Sequence, residues 1–87
     1  MTFHIGKDFF LDTNKVVCLV PYNTSRIKEE IQFKKNMELG MRDGTLIDAT
    51  RGGKISSVVI CMGGFYVLSC INSETLAKRF NQAVSIS

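Results

Sequence analysis

Residues 45–71 read TLIDATRGGKISSVVICMGGFYVLSCI, and the two glycine pairs inside them decide the fold. Gly52-Gly53 and Gly63-Gly64 each separate runs rich in β-branched and aromatic residues. A tight hairpin needs the positive φ that glycine adopts without steric cost. The pattern predicts a three-strand meander over 45–51, 54–62 and 65–71. With Gly63-Gly64 as a two-residue turn, Met62 pairs with Phe65, Cys61 with Tyr66 and Ser57 with Cys70. Cys61 and Cys70 then share a face about 13 Å apart at the rise of a strand, too far for a disulfide.

Upstream, residues 3–21 read as extended. Phe3 and Ile5 alternate with His4, Gly6 makes a break, and residues 9–11 form a second apolar run. Asp12-Thr13-Asn14 supplies turn chemistry, because these side chains bond nearby backbone. In Val16-Val17-Cys18-Leu19-Val20 both faces are apolar. Such a strand is either central in its sheet or part of a contact between subunits. A first helix is expected from about Ser25 to near Lys35, with Ile27 and Ile31 as its apolar edge, followed by a frayed end and loop over 36–44. A second helix starts at Asn72-Ser73 and carries Leu76, Phe80, Ala83 and Val84 at helical spacing. Glu74 in its first turn and Lys78-Arg79 in a later one suit the helix dipole. The expectation is one α+β domain spanning residues 1–87: a small antiparallel sheet with hairpins and two helices.

At 87 residues, folding hides only roughly 60–65% of the unfolded chain's surface. Hydrophobic residues nevertheless make up 45% of the chain and charged ones 22%, so part of the apolar surface is expected to face a partner subunit. Cys18, Cys61 and Cys70 are odd in number and lack paired spacing, and no secretory leader is expected before them. They read as reduced core residues of a cytoplasmic protein, with no redox or metal work. Apolar stretches such as 16–20 fall far short of the roughly 20 residues that cross a bilayer, and no membrane partner is expected.

Catalytic chemistry finds little material. His4 is the sole histidine, in a short strand beside Phe3 and Ile5 and away from any cysteine or carboxylate pair at ligand spacing, so it reads as an edge or half-buried residue. Arg51-Gly-Gly-Lys54 has the look of a phosphate loop, but a Walker loop needs four residues between its glycines and a Ser or Thr after the lysine. Here Ile55 follows Lys54, and a strand follows rather than a helix. No enzyme, cofactor or small-molecule substrate is expected. Cations at a narrow hairpin tip have another use: Arg51 and Lys54 can reach the phosphates of a duplex. Lys34-Lys35 and Lys78-Arg79, interleaved with Glu29, Glu30, Glu38 and Glu74, read as solvated helix faces.

One block narrows the reading further. Leu46-Ile-Asp-Ala-Thr50 with its basic glycine turn, then Ser57-Val-Val-Ile60, Tyr66-Val-Leu-Ser69 and Glu74-Thr-Leu-Ala-Lys-Arg-Phe80, resembles the RemA-like family of bacterial extracellular-matrix regulators. Phe3-His-Ile-Gly-Lys-Asp-Phe9 followed by Asn14-Lys-Val-Val17 resembles the B branch of that family, so the likeness covers nearly the whole chain. It implies a LytTR-like topology and a double-stranded-DNA-binding regulator of biofilm-matrix genes. It also implies a homo-oligomeric ring, of about seven or eight subunits on our reading, and no catalytic centre. The family places a basic residue before the third strand, where Lys15 stands. It places a basic pair after the hairpin glycine, where Gly53 and Lys54 stand, so half the pair is absent. Arg51 stands where relatives often carry an aromatic or other residue, and Ser56 where a basic one is common. The 36–44 loop is longer than in the family. Lys15, Arg51 and Lys54 are the expected DNA-contacting residues.

A net charge of +3 per chain becomes on the order of +20 in such a ring, presented as a repeating stripe. A scaffold of the same fold that binds protein and no longer DNA is the competing expectation. A single-strand or RNA reader ranks below both, because Phe65 and Tyr66 occupy opposite faces and cannot form one stacking platform.

Overall fold

In the computed structural model, which describes residues 1–37 and 45–86, the β-rich second half folds around a central hairpin. The strands are β1 (Thr2–Gly6), β2 (Phe9–Asp12), β3 (Val16–Pro21), β4 (Leu46–Asp48), β5 (Ser57–Cys61) and β6 (Phe65–Ser69); the helices are α1 (Ser25–Met37) and α2 (Ser73–Ile86). β1 and β2 form a separate antiparallel hairpin, and the remaining strands form one sheet in the order β3-β5-β6-β4. β3 and β5 are antiparallel, as are β5 and β6, whereas β4 runs parallel to β6. The α+β class, the two helices and the antiparallel hairpins are as expected, in a sheet that is mixed. The end of the 36–44 loop lies outside the described residues, and α1 continues through Met37.

The register of the central hairpin corrects the expectation by one residue. Cys61 pairs with Phe65, Ile60 with Tyr66 and Ser57 with Ser69. The turn therefore has three residues, with Gly63 and Gly64 at φ 88° and 81° and the Gly64 amide donating to the Cys61 carbonyl at 3.2 Å. Because side chains alternate along a strand, a slip of one moves every partner to the other face. Cys61 thus shares its face with Phe65, Val67 and Ser69, and Cys70 falls on the opposite parity.

The expected meander is also corrected, since β4 and β5 are not neighbours. β6 lies between them. The Ala49 amide donates to the Leu68 carbonyl at 2.9 Å and the Ser56 amide to the Ser69 carbonyl at 2.8 Å. The 49–56 connection is thereby hung from the end of β6 as it crosses from one flank to the other. Arg51 and Lys54 stand on this crossover and not on a hairpin tip.

Two cores follow from the alternation of side chains. On one face Val58, Leu68 and Leu46 pack beneath Ile31 of α1, with Val20, Ile27 and Tyr66 at the margin. On the other, Val59, Cys61 and Val67 meet Phe3 and Ile5 of the β1–β2 hairpin and Leu76 and Ala83 of α2. The order is α1, sheet, then hairpin and α2 together. Gly6 lets the hairpin approach: at φ 138° it is outside the range of ordinary side chains, and a Cβ there would lie 3.2 Å from the Ala49 carbonyl oxygen. The buried Ser69 hydroxyl donates to the Ile5 carbonyl and accepts from the Ile71 amide at 3.0 Å, fixing β1 to the exit of β6.

β3, apolar on both faces, is an edge strand rather than a central one. Val17, extruded by a bulge between Val16 and Cys18, is 64% exposed. The expectation that all three cysteines lie in the core fails for this reason: Cys61 is buried, Cys70 is half-buried and Cys18 is exposed. Val84 is likewise exposed, although it sits at helical spacing with Leu76 and Phe80.

Candidate nucleic-acid interface

Asp48 builds the turn that presents Arg51. Its carboxylate accepts from the Thr50 amide at 2.8 Å, from the Thr50 hydroxyl, and from the Gly52 amide at 3.1 Å. The Gly53 amide closes the turn on the Thr50 carbonyl at 3.1 Å. Burial works to raise the Asp48 pKa, but the Thr50 and Gly52 hydrogen bonds, helped by the charge of Lys35, outweigh it and hold the carboxyl below its ordinary range. Ala49 and Thr50 are buried beneath the turn. The Leu-Ile-Asp-Ala-Thr block is thus a strand end, a carboxylate cap and a buried anchor in succession.

Arg51 has φ 54°, in the left-handed region where a side chain costs roughly 1–2 kcal/mol. A cation is held there despite that cost. Its guanidinium is ion-paired to Asp8, at the tip of the β1–β2 hairpin, and both side chains remain largely in solvent. Lys7, beside Asp8, also has a left-handed backbone, at φ 47°. Lys54, three residues along from Arg51, is exposed and makes no ion pair with a described residue.

Lys15 lies at the opposite end of the sheet. It closes the 3-10 turn Thr13–Lys15, which Asp12 caps by accepting from the Asn14 amide at 3.0 Å, and its carbonyl accepts from the Met62 amide at 2.8 Å. Val16 pairs with Cys61 and Pro21 with Ser57, so the length of β3, about 17 Å at the rise of a strand, separates the Lys15 end from the Lys54 end. Within one subunit the fold joins Arg51 and Lys54 on one connection and leaves Lys15 apart.

The other basic pairs divide. Arg79 is tied inward, donating to the His4 carbonyl at 3.2 Å and to His4 Nδ1 at 3.1 Å, while His4 Nε2 donates to the Lys7 carbonyl at 2.6 Å. His4 is therefore the Nε2-protonated tautomer, half-buried and tilted at 44° to the Phe10 ring, and serves to bind α2 to β1. Lys78 and Lys35 are exposed. The sequence reading missed Asp8 and Asp48. Asp8 acts on a residue far away in the chain, whereas the Asp48-x-Thr50 spacing is a local signal that could have revealed the turn cap.

Residues 2–80 match the family model described as RemA-like, extracellular matrix regulatory protein A-like. The chain belongs to the RemA-like family. It is 34% identical over 79 residues to a candidate regulatory protein of Finegoldia magna, covering 91% of this chain and 88% of that one. A candidate regulatory protein of a Thermoanaerobacter species is 35% identical over 78 residues, covering 90% and 75%. One from a Cyanothece species is 34% identical over 77 residues, covering 88% and 78%. The resemblance first read in the Leu46–Thr50 block thus extends over the fold, and this is a protein of a regulatory family. Among the described residues, no helix is long and apolar enough to cross a membrane.

Proposed function

We propose that this RemA-like chain is a non-enzymatic transcriptional regulator that binds double-stranded DNA as a homo-oligomeric ring, acting on extracellular-matrix genes. The observation that carries the reading is the 49–54 crossover. A capped turn holds Arg51 in a left-handed conformation and sets Lys54, which has no ion-pair partner among the described residues, three residues away. Backbone strain kept under a cation supports a functional role for that position, and contact with a phosphate is the role assigned to it in this reading.

Assembly is supported by β3, which pairs on one side only among the described residues and carries the exposed Val17 and Cys18. The bulge at Val17 and the proline at its end keep this strand from continuing a sheet into a neighbour, so the contact runs through side chains. Repetition around a ring brings many weak cations to one duplex, which offsets the modest charge of each subunit. Lys15, distant from Lys54 in one subunit, joins the same surface only through such repetition.

The scaffold reading draws on the Arg51–Asp8 pair, since a guanidinium already neutralised has less to offer a phosphate. A gel shift against duplex DNA at about 50 and 200 mM salt separates the two, because phosphate binding weakens steeply over that range. A shift lost at the higher salt is the expected result. A protein of oligomeric mass with no shift at either salt favours the scaffold.

A further inference from the structure

A cleft of about 570 Å³ opens beside the crossover, between the start of α1 and the start of α2. That volume falls within the range of small-ligand pockets, roughly 300–1,000 Å³. Lys28, one turn into α1, and Lys54 both line it, and its described lining contains no carboxylate. Neither lysine has an ion-pair partner among the described residues. Tyr22, Pro21 and Ile55 give it an apolar wall.

We infer that this cleft is a phosphate-binding site, with Lys28 and Lys54 as its paired cations. Lysine ammonium groups act as point charges toward phosphate, and two of them facing one concave space without an acid between them favour a multiply charged anion. α2 begins at the rim, at Ser73, and α1 begins at Ser25, two residues past the lining residue Asn23, so the positive end of the α2 dipole adds to the lysines. Asn72 Oδ1 already accepts from the Thr75 amide at 2.8 Å, which orders the first turn of α2 against the cleft. The space exceeds what a bare phosphate needs, and the apolar wall suits an organic body attached to it. The phosphate belongs either to a DNA backbone or to a free phosphorylated molecule. The inference shares Lys54 with the DNA reading and adds Lys28, which that reading does not contain.

The test is a titration of the isotopically labelled full chain with pyrophosphate, followed by amide NMR shifts, and then a challenge with a short DNA duplex. Saturable shifts are expected at Lys54, Ile55 and Ser73. Lys28→Ala and Lys54→Ala should each weaken pyrophosphate by about fivefold or more, the effect of losing one charge-assisted contact, while Lys78→Ala stays within about twofold. Unchanged circular dichroism and Tm in each variant assign the loss to the site. Displacement of pyrophosphate by the duplex makes backbone phosphate the occupant. Pyrophosphate binding that the duplex leaves intact, or that persists when no duplex binds, makes the occupant a free phosphorylated molecule and removes Lys54 from the DNA reading. No saturable shift, or equal affinity in wild type and both lysine variants, overturns the inference whatever DNA does.

Discussion

Arg51 and Asp8 stand 43 residues apart in the chain and meet as an ion pair that ties the β1–β2 hairpin tip to the β4–β5 crossover. Both side chains are mostly in solvent, so the pair contributes only about 0.2–1 kcal/mol to folding. Its larger effect is on the charge that Arg51 presents. Asp8→Asn should leave stability within about 1 kcal/mol and strengthen DNA binding, because the guanidinium is released. Arg51→Gly should also leave stability within about 1 kcal/mol, since relief of the left-handed backbone offsets the lost pair and the greater freedom of the unfolded chain. It should weaken DNA binding. Urea melts together with gel shifts check both, and weaker binding by Asp8→Asn would show that the pair itself is the contact.

Asp48 sets the acid sensitivity of the crossover. Its folded pKa lies below the ordinary value, so the native state stabilises the ionised form. That contribution is fully present above the unfolded aspartate value and is lost as pH falls through the lower folded value. Asp48→Asn should therefore lower stability near neutral pH by about 1–3 kcal/mol, the range for losing charged acceptors of buried donors. The gap between variant and wild type should narrow as pH falls below the ordinary aspartate value. Urea midpoints across that range are the measurement, and a constant gap would remove Asp48 from the acid transition.

Much of the fold was readable because its signals are local. Asp12-Thr13-Asn14 announced a turn, Asn72 a helix start, and the glycine pair at 63–64 a tight hairpin. The partner of β4 was not readable, because periodicity gives the face of a strand but not its neighbour. The Gly52-Gly53 pair looked like a second hairpin because glycine marks any sharp change of direction. Only the Asp48 cap and the hydrogen bonds on both flanks of β6 distinguish a crossover. Cys18 was misplaced for the same reason: an apolar strand at the edge of a sheet has the same composition as one in its middle. Of the site, the cations were legible by type and by family likeness. Asp8 was not, since it reaches Arg51 only through the tertiary fold.

Val17 tests assembly apart from folding. It is 64% exposed on a bulge of the edge strand, so replacing it disturbs little inside one subunit. Val17→Glu should keep the unfolding free energy of a subunit within about 0.5 kcal/mol, as expected for a surface site. Light scattering should then report the 9.7 kDa of a single chain in place of a larger closed oligomer. Wild-type protein that runs at 9.7 kDa at every concentration would sink the ring itself.

DNA affinity should follow salt in a way that counts the cations. If about four subunits of a ring touch one duplex with two cations each, roughly eight counterions are released and log K falls against log salt with a slope near −7. Replacing Arg51 and Lys54 together by Ala should flatten that slope and weaken all sequences alike, because phosphate contacts position a protein without reading bases. Lys15→Ala should do the same more mildly. The fold divides the double effect unequally, since Arg51 is held by Asp8 while Lys54 has no ion-pair partner among the described residues. Lys54→Ala alone should therefore reproduce most of the change. A double variant that keeps both its oligomeric mass and its full slope would make the crossover a bystander. Arg79 is bound to His4, so the search would then pass to the face of α1 that carries Lys35.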